Sequence, residues 1–516
     1  MNKNIYLRYI RAFAALAALA LAGCATLDEP WRGDGLAESP AAQTCADSFT
    51  ALDAAVDRAG VRDAEARRIP GFPYMRVDRL GAQIGARLGV HSGVQPRDAA
   101  NDTDPASAQW LSRLQTLDQA ARRVEISNLP DAAIRLLQQG GDGRAALIDL
   151  VARCAALLRD QDMKSPSRVA LIRARAQVPD DYVTWQRVVG LYGLTQIPFS
   201  KGIAQWHTEA MRDFRNAAGG RESPYPLMRY ALANPLAATR EQIAAVIHRA
   251  SDNPLRIPQF SDAERMLLLH AYAPVFEVET GGAYDHIGRL GWGTGNAPEV
   301  DSAVPVVYHR IAFTGYGEQT LTQLVYTIWF SERPADHPLD VLAGRLDGVV
   351  IRVTLSAEGD PLLYDSIHPC GCYHMVVPMP RVLAQRAPDG AGEWAFVPVA
   401  LPLHTVGERL AVRVASRSHY LVNVTLDQAG ATHGYTLMPE DELRTLPNVA
   451  GTRSAYGPDG LISGTARGER LFFWPMGIPS AGAMRQWGHH ATAFVGRRHF
   501  DDADLIEKRF RIVAPH

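Results

Sequence analysis

From Cys45 to about Tyr272, apolar residues recur at spacings of three and four, as in Ala146, Leu147, Leu150, Val151, Cys154, Leu157 and Leu158. That period puts one apolar stripe on an amphipathic helix. Thr239 with Gln242, and Ser261 with Glu264, have capping-box spacing ahead of the apolar runs 243–247 and 266–269, which predicts two helix starts. Pro130, Pro179, Pro198 and Pro235 punctuate the region, so it reads as separate helices and not one long coil.

After Pro274 the pattern changes to short runs of Val, Ile, Tyr, Phe and Thr bounded by Gly, Pro and Asp. These predict strands at 275–280, 305–313, 323–330, 349–355, 362–367, 373–377, 395–400, 410–415 and 420–426. Asp347-Gly348 and Glu358-Gly359-Asp360-Pro361 have the composition of hairpin turns. Successive strands with little helix between them imply an antiparallel sandwich or barrel. The expected class is α+β, an irregular helical domain over 45–273 followed by an antiparallel β domain over 274–516. The tail 501–511 reads as a short charged helix or an edge strand, and the apolar run 472–476 is expected in a core.

The N-terminus follows another logic. Lys3, Arg8 and Arg11 precede the apolar run 12–22, which ends in Leu21-Ala22-Gly23-Cys24. A positive region, an apolar segment and small residues before a cleavage point are the parts of a secretory signal. The apolar segment is too short to cross about 30 Å of hydrocarbon as a helix. Leu21-Ala22-Gly23-Cys24 resembles the lipobox of bacterial lipoproteins. The resemblance implies removal of residues 1–23, acylation (palmitate-type) of Cys24 and a lipid anchor in the cell envelope. Ala25 in place of an aspartate implies the outer membrane, with the protein facing the periplasm. Residues 24–44, rich in Pro, Gly, Ala and acids, are expected to form a tether.

Composition sharpens this picture in three ways. A chain of 516 residues, 47% hydrophobic and 21% charged, can bury a large core. The formal charge is −2, with no basic stripe to displace counterions, so no nucleic-acid partner is expected. If Cys24 is acylated, Cys45, Cys154, Cys370 and Cys372 remain, an even number in a compartment that oxidises thiols. Cys45 and Cys154 are the simplest disulfide pair, with two buried thiols as the alternative.

Twelve of the 16 histidines follow Pro274, so any reactive site is expected in the β domain. The densest cluster is His368-Pro369-Cys370-Gly371-Cys372-Tyr373-His374. Sulfur and imidazole donors of this kind suit zinc or copper. Side chains at alternate strand positions are about 6.6 Å apart and cannot converge, but Pro369 and Gly371 allow a turn that could gather His368, Cys370, Cys372 and His374. Further ligands would come from residues such as His286, His309, His419, His433, His489 or His490. Alternatively, Cys370 and Cys372 form a disulfide across one glycine, or remain buried thiols beside core histidines. Haem is not expected without Cys-x-x-Cys-His. Nucleotide is not expected either, because the glycines at 291–295 lack the following Lys-Ser/Thr.

A second cluster, Arg485, His489, His490 and His499 with Asp501 and Asp502, has the groups to bind an anionic substrate or, equally, to pin the last segment by ion pairs. The leading functional reading is therefore an outer-membrane lipoprotein with a transition-metal site, either an envelope enzyme, in one version a metal-dependent hydrolase, or a metal-handling protein. The competing reading is a non-catalytic envelope lipoprotein with two disulfides that binds a protein, glycan or lipid partner.

Overall fold

The structure, a computed structural model, describes residues 31, 39–91, 104–138, 143–220, 222–294, 297–404, 408–428 and 430–513. The leader and Cys24 lie outside these residues. The fold is α+β.

The N-terminal helices are α1 (Pro40–Ala59), α2 (Arg79–His91), α3 (Pro105–Asn128), α4 (Asp131–Leu137), α5 (Arg144–Asp162) and α6 (Pro166–Arg175). The stripe on α5 is buried as its period demands, through Leu147, Val151, Cys154, Ala155 and Leu158. It packs in one core with Cys45, Phe49, Leu52 and Val56 of α1. This packing brings Cys45 and Cys154 to a Cα separation of 5.1 Å, and they are joined as a disulfide. Helix α1 starts at Pro40, so the end of the expected tether is already ordered helix. Trp31 is also buried, with its indole N–H donating to Asp162 at 3.1 Å.

A hairpin of Arg67–Ile69 and Phe72–Val77 interrupts this helical region. It carries the buried Arg76, which pairs with Asp118 at 3.1 Å and Glu125 at 2.6 Å. Burial alone would raise the Glu125 pKa, but Arg76, Arg122 and Arg68 hold it at about 2.

The rest of the chain builds on one sheet. Its elements are α7 (Thr184–Val189), α8 (Tyr192–Ala218), β1 (Leu227–Leu232), α9 (Arg240–Ala250), α10 (Asp262–Ala271) and β2 (Val275–Glu279). Then come β3 (Val306–Tyr316), β4 (Gln319–Arg333), β5 (Gly344–Leu355), β6 (Pro361–Ile367), β7 (Met375–Pro378), β8 (Glu408–Val414), β9 (Leu421–Gln428) and β10 (His433–Pro439). Both predicted capping boxes are present, at Thr239 and at Ser261.

The ten strands lie in the order β7-β6-β5-β4-β3-β10-β1-β2-β8-β9. The sheet is mixed, which corrects the antiparallel expectation: β10 runs parallel to β3 and β1, and β2 runs parallel to β8. The physical cause is long-range. Strand β1 precedes two helices, β10 returns after β9, and both insert between β2 and β3, so neither can join a neighbour by a tight turn. Phe214 of α8, Ile247 of α9 and Leu268 of α10 share the sheet's core with Phe276, Tyr326 and Val412.

Eight of the nine predicted strands are found. Residues 395–400 form none, and Pro398 within the run has no N–H to give a ladder. Asp347-Gly348 is not a turn but lies inside β5. A Cβ on Gly348 would sit 2.4 Å from the Ile328 carbonyl oxygen, so glycine is there for close strand approach.

The last segment is loop-rich, with α11 (Arg470–Phe473) and α12 (Leu505–Arg509), and ends in a strand, Phe510–Ile512, paired with Val382–Ala384. Within the apolar run, Met476 is buried, but Phe472 and the preceding Leu471 are exposed, contrary to the expectation of a core. Among the described residues no helix is long and apolar enough to cross a membrane.

Candidate functional site

Residues 368–374 form the predicted turn, between β6 and β7. The His368 N–H donates to the Cys372 carbonyl at 3.0 Å, and the Gly371 N–H donates to the His368 carbonyl at 2.8 Å. Gly371 has φ +90°, and Tyr373 adopts φ +62°, an uncommon conformation for a residue with a side chain. A Cβ on Gly371 would lie 2.6 Å from the Ala491 carbonyl oxygen, so the last segment closes directly over the turn.

The turn does not gather its four donors. His368 Nδ1 lies 3.2 Å from Asp347, whereas His374 Nε2 lies 3.1 Å from Asp365. Cys370 and Cys372 are free, buried thiols, so the second disulfide is absent. The Cys372 N–H donates to Cys370 Sγ at 3.4 Å. The hydrogen bond from Cys370 and burial both push the Cys372 thiol well above its ordinary value. Among the described residues no three His, Cys, Asp or Glu side chains are grouped to hold a metal ion.

Of the further histidines, His419 does join this neighbourhood. Its Nδ1 is 3.0 Å from Asp347 and its Nε2 is 3.3 Å from Asp285, giving a buried row Asp285–His419–Asp347–His368. Burial alone would raise the Asp347 pKa, but Arg467, His368 and His419 hold it well below the carboxylate range. His309 is elsewhere on β3 and is pushed down to about 4 by burial, and His433 packs on the Tyr230 ring. His286 follows the short turn Ala283–Asp285, one residue beyond the Asp285 of that row.

The C-terminal cluster is engaged in hydrogen bonds and ion pairs within the chain. Buried Arg485 donates to the Cys370 carbonyl at 3.2 Å and the Ser480 carbonyl at 3.1 Å, so its guanidinium braces the turn. His489 and His499 both meet Asp181, at 2.8 and 3.2 Å. Burial alone would lower the His499 pKa, but Asp181 and Asp502 hold it at about 9. His490 is buried and pushed down to about 3, first by burial and then by Arg485.

A cavity of about 470 Å³ opens beside the turn. Phe199, Ile203 and Trp206 of α8 form one wall, and Phe396, Phe473 and Phe494 face them. Tyr373 and Tyr420 complete the aromatic lining, with the Tyr420 hydroxyl donating to Tyr373 at 2.8 Å. His207 stacks on Phe396 with ring centroids 4.0 Å apart, and burial pushes its pKa down to about 4. Cys372 and His374 also reach this cavity, so the sequence cluster borders it even though its donors diverge.

The polar groups of the lining are unequal. Arg498 is saturated by the carbonyls of Glu393, Trp394 and Thr492. Glu469 is 4% exposed; its backbone N–H donates to the Val341 carbonyl at 3.0 Å, but its carboxyl makes no hydrogen bond or ion pair with the described residues. Burial raises its carboxyl to about 6, against the pull of Arg467 and Arg333. Gly482 makes room for it, since a Cβ there would fall 2.0 Å from Glu469 Oε1. A buried carboxyl without a partner, set in an aromatic wall, is suited to a ligand that donates a hydrogen bond or carries positive charge. Sequence reasoning missed Glu469 and Trp206, because neither sits in a local motif.

No family model, curated protein or solved structure matches this chain.

Proposed function

We propose that this chain is a lipid-anchored protein of the bacterial outer membrane, facing the periplasm, that binds an amphiphilic small molecule. The ligand places an apolar body among Trp206, Phe396 and Phe473 and a donor or cationic group at Glu469. The observation that carries this reading is the unpaired Glu469 carboxyl in a wall of aromatic side chains. Aromatic faces attract cations, and a desolvated carboxylate adds to that attraction. The address rests on the lipobox resemblance at Leu21-Ala22-Gly23-Cys24. The metal-dependent hydrolase has less support, since His368 and His374 are each engaged by a different carboxylate.

Titration calorimetry with dodecyltrimethylammonium below its micelle concentration, and with dodecanol, tests the reading. Saturable one-to-one binding is expected, with the ammonium preferred. Trp206→Ala should weaken both ligands at least tenfold, whereas Glu469→Gln should weaken only the cation. Binding that neither substitution alters would sink the proposal.

A further inference from the structure

Helix α8 is apolar on two faces over its first turns. Phe199, Ile203, Trp206, Ala210 and Phe214, at helical spacing, turn to the cavity and the core. Leu194 and Ile197 lie off that stripe and are 66% and 55% exposed. Leu191, just before the helix, has φ +50° and is 62% exposed. The preceding helix continues the surface with Trp185 at 55%, Val188 at 69% and Val189 at 65%.

Helix α11 adds Leu471 at 75% and Phe472 at 62%. The pieces are packed together. Trp185 meets Trp474 edge to face with centroids 5.6 Å apart, Phe199 meets Phe473 at 5.3 Å, and the Val183 N–H donates to the Gly477 carbonyl at 2.7 Å. Monomeric surfaces seldom leave so many large apolar groups together in water.

We infer that this face, α7 with the start of α8 and α11, rests on an anionic phospholipid bilayer and presents the cavity to it. The inference rests on the lipoprotein reading above. Three observations select a bilayer. Residues 182–208 and 470–478 contain Arg187, Lys201 and Arg470 and no acid, and Lys201 and Arg470 are exposed, which suits anionic headgroups. Trp185 and Trp474 are of the type that settles at the headgroup level.

The third is the length of the tether. Six residues lie between Cys24 and the buried Trp31, and the seven Cα–Cα steps they span reach at most about 25 Å. A lipid on Cys24 therefore holds the body close to the membrane. The face and the cavity also share an edge: Ile197 points out while Phe199 lines the cavity, and Phe472 points out while Phe473 lines it. An amphiphile leaving the bilayer at this edge meets a lining of aromatic side chains together with Glu469.

The test uses the full chain, purified in detergent and reconstituted in vesicles of 70:30 phosphatidylcholine and phosphatidylglycerol. The emission difference between the wild type and Trp185→Phe isolates Trp185. In vesicles with brominated acyl chains that difference should fall by at least half, and protection from aqueous iodide should appear. The triple variant Leu191→Ser, Leu194→Ser, Ile197→Ser, checked for an unchanged circular dichroism spectrum, should lose both effects. Trp206→Ala should keep them, so failure of the pocket and failure of the face are read separately. Trp185 equally open to iodide with and without vesicles overturns the inference. So does protection that is already complete without lipid and accompanied by a dimer in sedimentation velocity.

Discussion

His368 and His374 stand six residues apart on one turn and bind different buried carboxylates, Asp347 at 3.2 Å and Asp365 at 3.1 Å. The turn that the sequence predicts therefore separates the donors it was expected to collect. Each carboxylate also answers to an arginine, Arg467 for Asp347 and Arg352 for Asp365. These histidines consequently act as parts of two buried charge networks that fix β5 to the turn.

The first prediction concerns Asp347. Asp347→Asn leaves His419 and Arg467 facing a neutral group in a buried site, and removing one partner of such a set costs about 3–5 kcal/mol. Urea unfolding should show that loss. Dialysis against a chelator should leave the unfolding midpoint of the wild type unchanged, and a midpoint that falls and is restored by zinc would contradict the assignment.

The Cys45–Cys154 bridge spans 109 residues and ties α1 to α5. Its removal by Cys45→Ser, Cys154→Ser should lower stability by about 2–4 kcal/mol. Thiol titration of the unfolded, unreduced protein should label Cys370 and Cys372 and neither of the bridged pair.

His499 sets an alkaline limit. Its folded pKa of about 9 lies above the ordinary histidine value of about 6.5, so its contribution is complete below about pH 6.5 and is lost as pH rises through 9. The loss should amount to roughly 3 kcal/mol between those limits. In His499→Asn the decline in unfolding free energy over the same window should be much shallower.

Glu469 gives the cavity a pH response. With its carboxyl at about 6, the group is mostly neutral at pH 5 and ionised at pH 7.5. Affinity for a cationic amphiphile should rise with pH across that interval, about tenfold or ~1.4 kcal/mol. The ligand-free protein should lose stability from about pH 4.5 to 6, because the folded state retains the proton more strongly than the unfolded state. Glu469→Gln should remove the binding step, which calorimetry at the two pH values would show.

Gly371 tests the contact between the turn and the last segment. Alanine there must adopt φ +90° and place a Cβ 2.6 Å from a backbone oxygen. Gly371→Ala should cost about 2–4 kcal/mol in thermal or urea unfolding.

Local rules fixed much of this protein in advance. The two capping boxes, the stripe on α5, most strand positions and the turn at residues 368–374 follow from period, cap and turn chemistry that act over a few residues. The α+β class follows from the same signals. The insertion of β1 and β10 into a mixed sheet, the place of Asp347 inside β5 and the unpaired Glu469 beside Trp206 were decided only in the tertiary structure. Those features depend on which distant segments pack together, Trp206 on one helix with Phe396, Tyr420 and Glu469 far along the chain. Burial and charge then act across the space that this packing creates, and no local spacing in the sequence encodes that space.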